Sequence, residues 1–190
     1  MGPRFTDSLP HAVFGLSTGA LVLYAALTDN PAEAQRSALA LTLSMGPAEY
    51  LLYRFRSGSL AALRASGTTR AFRRGTARNL ARCLTGCLAA LLALALATTA
   101  LWPHPPAPTG ERVAGLLALG VVLWTGLLLQ SFGAVLGSTA VCGAAALAQT
   151  LALLTRTGDP NTVALAVYGA AATVQVALVR GLLGRATAHR

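Results

Sequence analysis

From Val113 to Leu154 the sequence runs as one apolar stretch of 42 residues. A helix needs about 20 such residues to cross the hydrocarbon core of a bilayer, so this stretch holds two crossings and must reverse inside itself. "QSFG" at 130–133 is the best place for the reversal, giving spans over 113–130 and 134–154. Composition then extends the argument to the whole chain. It is 54% hydrophobic and 11% charged, with no lysine, whereas soluble domains carry about 25% charged residues. A soluble protein could not cover its surface with what remains. The expectation is an all-α, polytopic membrane protein forming one transmembrane domain over residues 1–190.

Four further apolar segments complete a six-helix bundle: 11–28, 37–55, 79–101 and 161–182. The third is closed by the Pro-rich "WPHPPAPTGER", which cannot continue a helix. The sixth follows "TRTGDPN", with Gly-Asp-Pro turn chemistry. Arginine placement tests the count. With a cytoplasmic N-terminus, twelve of the fifteen arginines fall inside: Arg4, the eight between 54 and 82, and Arg180, Arg185 and Arg190. Arg36, Arg112 and Arg156 fall outside. Six spans with both termini cytoplasmic therefore obey the positive-inside rule, and the expected location is the plasma membrane, multi-pass. A cleaved signal peptide over residues 1–34, ending in "AEA", is the rival reading. Its basic region is thin and its apolar run long for that role.

The chemistry that is missing narrows the function. His11, His104 and His189 lie at a span start, in an outer loop and near the C-terminus, without partners for a triad or a metal site. Cys83, Cys87 and Cys142 read as small buried apolar side chains. A phosphate-binding P-loop requires a lysine, which this chain lacks. We expect no enzyme, no bound metal and no cofactor in this chain. Inside the apolar spans the one acid is Glu49, near an expected cytoplasmic end, where Arg54 could form a structural or gating ion pair with it. Gly15/Gly19 and Gly133/Gly137 are small-residue pairs that let helices approach closely.

Residues 53–74, "YRFRSGSLAALRASGTTRAFRR", carry six arginines and no acid. Three readings compete: a solvated loop drawn to anionic lipid, a nucleic-acid arm, and a docking helix for a protein. Nucleic acid would want interleaved aromatics, and Phe55 and Phe72 alone are too few. The segment instead reads as a short helix over about 59–66, with Ser59 as N-cap and Gly58 and Gly67 as brackets. Leu60 and Leu63 share one face, flanked by Arg64. Thr68 or Thr69 then caps a basic helix, bearing Arg70, Arg73 and Arg74, that leads into the third span. A solvated loop has no need of such a helix, which favours docking.

The stretch "RSGSLAALRASGTTRAFRRGTARNLARCLTGCLAALLALAL" resembles the second-to-third-span segment of ATP-binding-cassette exporter permeases of the type-two class. The match comprises Gly58, Ser59, Leu60 and Leu63, then Ala65-Ser66-Gly67-Thr68, then Arg70, Arg73 and Arg74. Where that family usually carries Glu four residues before the Gly, this chain has Arg54. The family's N-terminal surface helix would be reduced here to "MGPRFTDSLP". The resemblance implies a coupling helix at 59–66 that seats on a separate ATP-binding subunit, which would bring the ATP and magnesium. It also implies a second copy or a homologous permease subunit as partner, and export of an amphipathic peptide, lipid or antibiotic. The alternative is a membrane scaffold or accessory subunit whose basic loop recruits a protein or anionic lipid.

Overall fold

The computed structural model describes residues 5–27, 31–65, 68–101, 109–156 and 158–185. The described residues form six α-helices: α1 (Phe5–Leu27), α2 (Pro31–Ala65), α3 (Thr69–Ala100), α4 (Gly110–Ser131), α5 (Val135–Thr155) and α6 (Pro160–Arg185). Five contain segments long and apolar enough to cross a membrane: Ser8–Ala26, Arg70–Ala100, Gly110–Ser131, Val135–Thr155 and Pro160–Leu183. The chain is a multi-pass helical membrane protein.

The long apolar run reverses where expected. α4 stops at Ser131, Gly133 takes φ of +77°, and the Ala134 amide returns to the Leu129 carbonyl at 2.9 Å. Only glycine adopts that left-handed conformation without penalty, so the break is local chemistry. The α5–α6 turn works similarly, with Arg156 at φ 50° and Gly158 at φ +74°. Asp159 then accepts from the Asn161 and Thr162 amides at 3.1 and 3.2 Å, starting α6.

Two boundaries differ from expectation. Of the opening "MGPRFTDSLP", residues 1–4 lie outside the described residues, and from Phe5 the segment forms the first turns of α1, continuous through Pro10, and not a separate surface helix. Pro10 is the sixth residue of α1, past the four amides that lack intrahelical partners, so it forfeits one bond, to the Thr6 carbonyl. Thr139 of α5 donates to the Pro10 carbonyl at 3.0 Å and ties that turn to the bundle. The second difference is at Gly58. A short helix separate from the second span was expected, yet α2 runs unbroken for 35 residues from Pro31 to Ala65. One glycine costs a helix only about 1 kcal/mol, whereas stopping and restarting incurs a new nucleation.

Side-chain contacts fix how the helices run. α1 and α5 are parallel: Pro10 meets Thr139, and the Tyr24 hydroxyl lies 2.7 Å from that of Thr150. α4 and α6 are parallel, since Thr125 reaches Gln175 at 2.6 Å while Arg112 and Asn161 flank one cavity. α2 runs parallel to α4. Arg36 shares that cavity with Arg112, Trp124 donates to the Ala48 carbonyl at 3.3 Å, and Arg56 donates to the Ser131 carbonyl at 3.2 Å. α3 is antiparallel to α2, with Asn79 donating to the Phe55 carbonyl at 3.0 Å and Arg36 and Thr99 lining the same cavity.

The bundle is packed in two layers. Toward the Ser131 end, Phe55, Cys83, Cys87, Trp124, Leu128 and Val179 form one cluster. The Phe55 ring stands edge-on to Trp124 and Phe132, with centroids 6.4 and 6.1 Å away. Toward the other end Leu21, Leu91, Leu119, Val122, Cys142 and Tyr168 form the second. In lipid such packing supplies the stability that the hydrophobic effect supplies in water.

Candidate functional site

All described residues between Arg54 and Arg82 belong to the α2–α3 helical hairpin. Arg56 is level with Ser131, the last residue of α4. α2 continues to Ala65, which at about 1.5 Å per residue carries it about 13 Å beyond that level. α3 begins at Thr69 and descends alongside it. Thr68 caps α3 as expected, accepting from the Ala71 amide at 3.3 Å. The outer surface of this hairpin is cationic, with Arg56, Arg70, Arg73, Arg74 and Arg78 exposed. Leu60 adds an apolar point among them and is 57% exposed.

Gly58 is no bracket. An added Cβ would lie 2.7 Å from Asn79 Nδ2, the group that donates to the Phe55 carbonyl. A side chain at 58 would press on the amide end of Asn79, so Gly58 marks a close approach of α2 and α3 at the base of the hairpin. Ser59 does not cap a helix start. It sits inside α2 with its hydroxyl oxygen buried and, among the described residues, without a hydrogen-bond partner. Leu63 and Arg64 lie on the last turn of α2, and their side chains fall outside the described residues, as does Gly67.

Glu49 and Arg54 are both exposed and are not brought together. Five residues apart on one helix, they point about 140° away from each other. Glu49 belongs instead to the outward side of α2. Leu39, Leu43, Tyr50 and Tyr53 share that side and are 42%, 55%, 60% and 71% exposed. A Cβ added at Gly46, on the same side, meets nothing within 4 Å.

At the opposite end of the bundle, Arg36 and Arg112 converge on one cavity. The sequence placed them only as two outer-loop charges. Their separation along the chain hid the pairing, which depends on the parallel register of α2 and α4.

No protein-family model, characterised protein or solved structure matches the chain.

Proposed function

We propose that the chain is the membrane subunit of an exporter driven by a separate ATP-binding subunit, and that the α2–α3 hairpin is its coupling lever. The observation that carries this reading is the unbroken α2. One 35-residue helix joins an exposed basic tip to the level of Ala48 and Arg36, far down the bundle. Force applied at Leu60 passes along a rigid rod and into Phe55, Trp124 and the α4 packing below. ATP and magnesium belong to the partner, which would present an acidic rim to the arginines around an apolar notch for Leu60.

In this reading all six helices cross. α2 falls short of the apolarity of the others because Gly46, Pro47, Glu49, Tyr50 and Tyr53 dilute it, yet it accompanies α4 over that helix's length. By the positive-inside rule the arginine-rich end faces the cytoplasm, with both termini on that side of the plasma membrane. A carboxylate facing lipid at the depth of Glu49 costs about 2.5 kcal/mol or more. The outward side of α2 is therefore covered by a second copy of the chain, with a path for an amphipathic substrate running beside the paired α2 helices.

Co-purification tests the proposal. The native chain retains an ATPase on isolation, and Leu60→Asp with Leu63→Asp releases it while the membrane domain stays folded. If no ATPase accompanies the native chain, or if it ignores the two aspartates, the lever reading is wrong. Tip-dependent retention on anionic vesicles without any ATPase would instead support the accessory-subunit alternative.

A further inference from the structure

The outward side of α2 has a period. Leu39, Leu43, Gly46, Tyr50 and Tyr53 recur at spacings of 4, 3, 4 and 3, and all five are exposed. At about 100° per residue they fall within about 80° of arc. Such a 3.5-residue repeat is the seam that one helix presents to another wound around it. Gly46 stands at the middle of the seam, and an added Cβ there meets nothing within 4 Å. A second backbone can come close at that point.

Two charges flank this seam on opposite sides. Glu49 precedes Tyr50 and Arg54 follows Tyr53, so one stands on either edge. Both are exposed, and among the described residues neither is held in an ion pair. In a parallel pair of helices, the residue on one edge meets the residue five positions further on along the opposite edge of the other helix. Five positions on from Glu49 is Arg54. Two copies inserted in the same sense are parallel, and a two-fold axis along the membrane normal makes the contact twice. Turning α2 to bring Glu49 onto that axis would set two carboxylates face to face at one depth, which like-charge repulsion opposes. The pairing gives each Glu49 the cation that its own helix points away from it.

We propose that two copies of the chain pair in register through residues 39–53 of α2, with Glu49 of each copy bonded to Arg54 of the other. This rests on the reading that a second copy covers the outward side of α2, and it requires no ATP-binding subunit. The seam ends at Tyr53, short of Leu60, and leaves the tip of the hairpin clear.

The test uses two differently tagged forms of the full chain, co-expressed and extracted in a neutral maltoside detergent, with one tag captured and the other measured. Glu49→Arg alone sets arginine against arginine, and Arg54→Glu alone sets glutamate against glutamate. Each should pair with itself about tenfold less than the native chain does. Glu49→Arg co-expressed with Arg54→Glu rebuilds both ion pairs and should recover native capture, which mixing two misfolded chains could not do. Glu49→Gln, which removes the charge without reversing it, should fall between the native chain and the reversals. Undiminished self-pairing of the variants would overturn the ion pair, as would failed recovery between variants that unfold as the native chain does. If Tyr50→Cys copies still cross-link in that case, a second copy on α2 stands and only the register falls. A native chain that neither captures its other form nor cross-links at Tyr50→Cys would overturn both.

Discussion

Gln175 is fully buried at the centre of the bundle, and it bridges three helices. Its amide lies 2.6 Å from the Thr125 hydroxyl of α4 and 3.1 Å from the Cys142 sulfur of α5. Thr125 is also 2.6 Å from the Val121 carbonyl, so its one proton serves either that carbonyl or Gln175. Hydrogen bonds between membrane helices are worth about 0.6 kcal/mol on average and about 1.7 at most. A double-mutant cycle of Thr125→Val with Gln175→Leu, followed by thermal unfolding in detergent, should return a coupling energy in that range. Gly126 is a second sensitive residue. A Cβ there would lie 2.8 Å from the Phe14 ring and 3.3 Å from the Ser138 hydroxyl, both of them buried. Neither neighbour can retreat easily, so Gly126→Ala should destabilise the protein by about 1–3 kcal/mol. The same substitution at Gly169, where a Cβ meets nothing within 4 Å, should have little effect in the same unfolding assay.

At the scale of elements, α2 is the helix whose integrity matters most. It is 35 residues long, about 52 Å at the α-helical rise, against a hydrocarbon core of about 30 Å. If it acts as a lever, its stiffness and not only its tip is required. Inserting Gly-Gly between Arg56 and Ser57 should leave ATPase docking at the tip intact and abolish ATP-dependent export, read in inverted vesicles. Retained export would show that force does not travel along α2. Asn79 is the cross-brace of the hairpin through its bond to the Phe55 carbonyl. Asn79→Ala should speed amide hydrogen exchange in residues 54–60 severalfold while α4 and α5 remain protected. The sequence announced the ends of α4, α5 and α6, because each is set by nearby residues: Gly133, Gly158 and Asp159. It misread Gly58 as an end. A close-approach glycine and a terminating glycine look alike until the neighbouring helix is in place.

At the scale of the whole molecule, the alternation of helix directions gathers the chain's charges. The ends carrying the α2–α3 hairpin and Arg180 lie together, while Arg36, Arg112 and Arg156 lie at the other. With Cys83, Cys87 and Cys142 buried, single cysteines can report the orientation. Arg74→Cys should react with a membrane-impermeant maleimide only from the cytoplasmic side, and Arg156→Cys only from outside. Tyr50→Cys should cross-link to the same residue of a second copy under mild oxidation, whereas Leu136→Cys, 73% exposed on α5, should not. Absence of the Tyr50 cross-link would remove α2 as the dimer face.

Helical class, the membrane as solvent and most helix ends followed from sequence alone, because each depends on local composition or on a turn of a few residues. The basic character of the stretch at 53–74 was legible, since charge and periodicity are local too. Its place on a hairpin of two long helices was not. That Glu49 faces outward, that Gly58 seals a helix crossing, and that Arg36 and Arg112 share a cavity were decided by tertiary structure. Each depends on which helices lie side by side and in what register. In an apolar membrane chain nearly every helix face is greasy enough to pack, so hydrophobic pattern does not select the partner. Shape and a few buried polar contacts do, and those exist only once the helices have met.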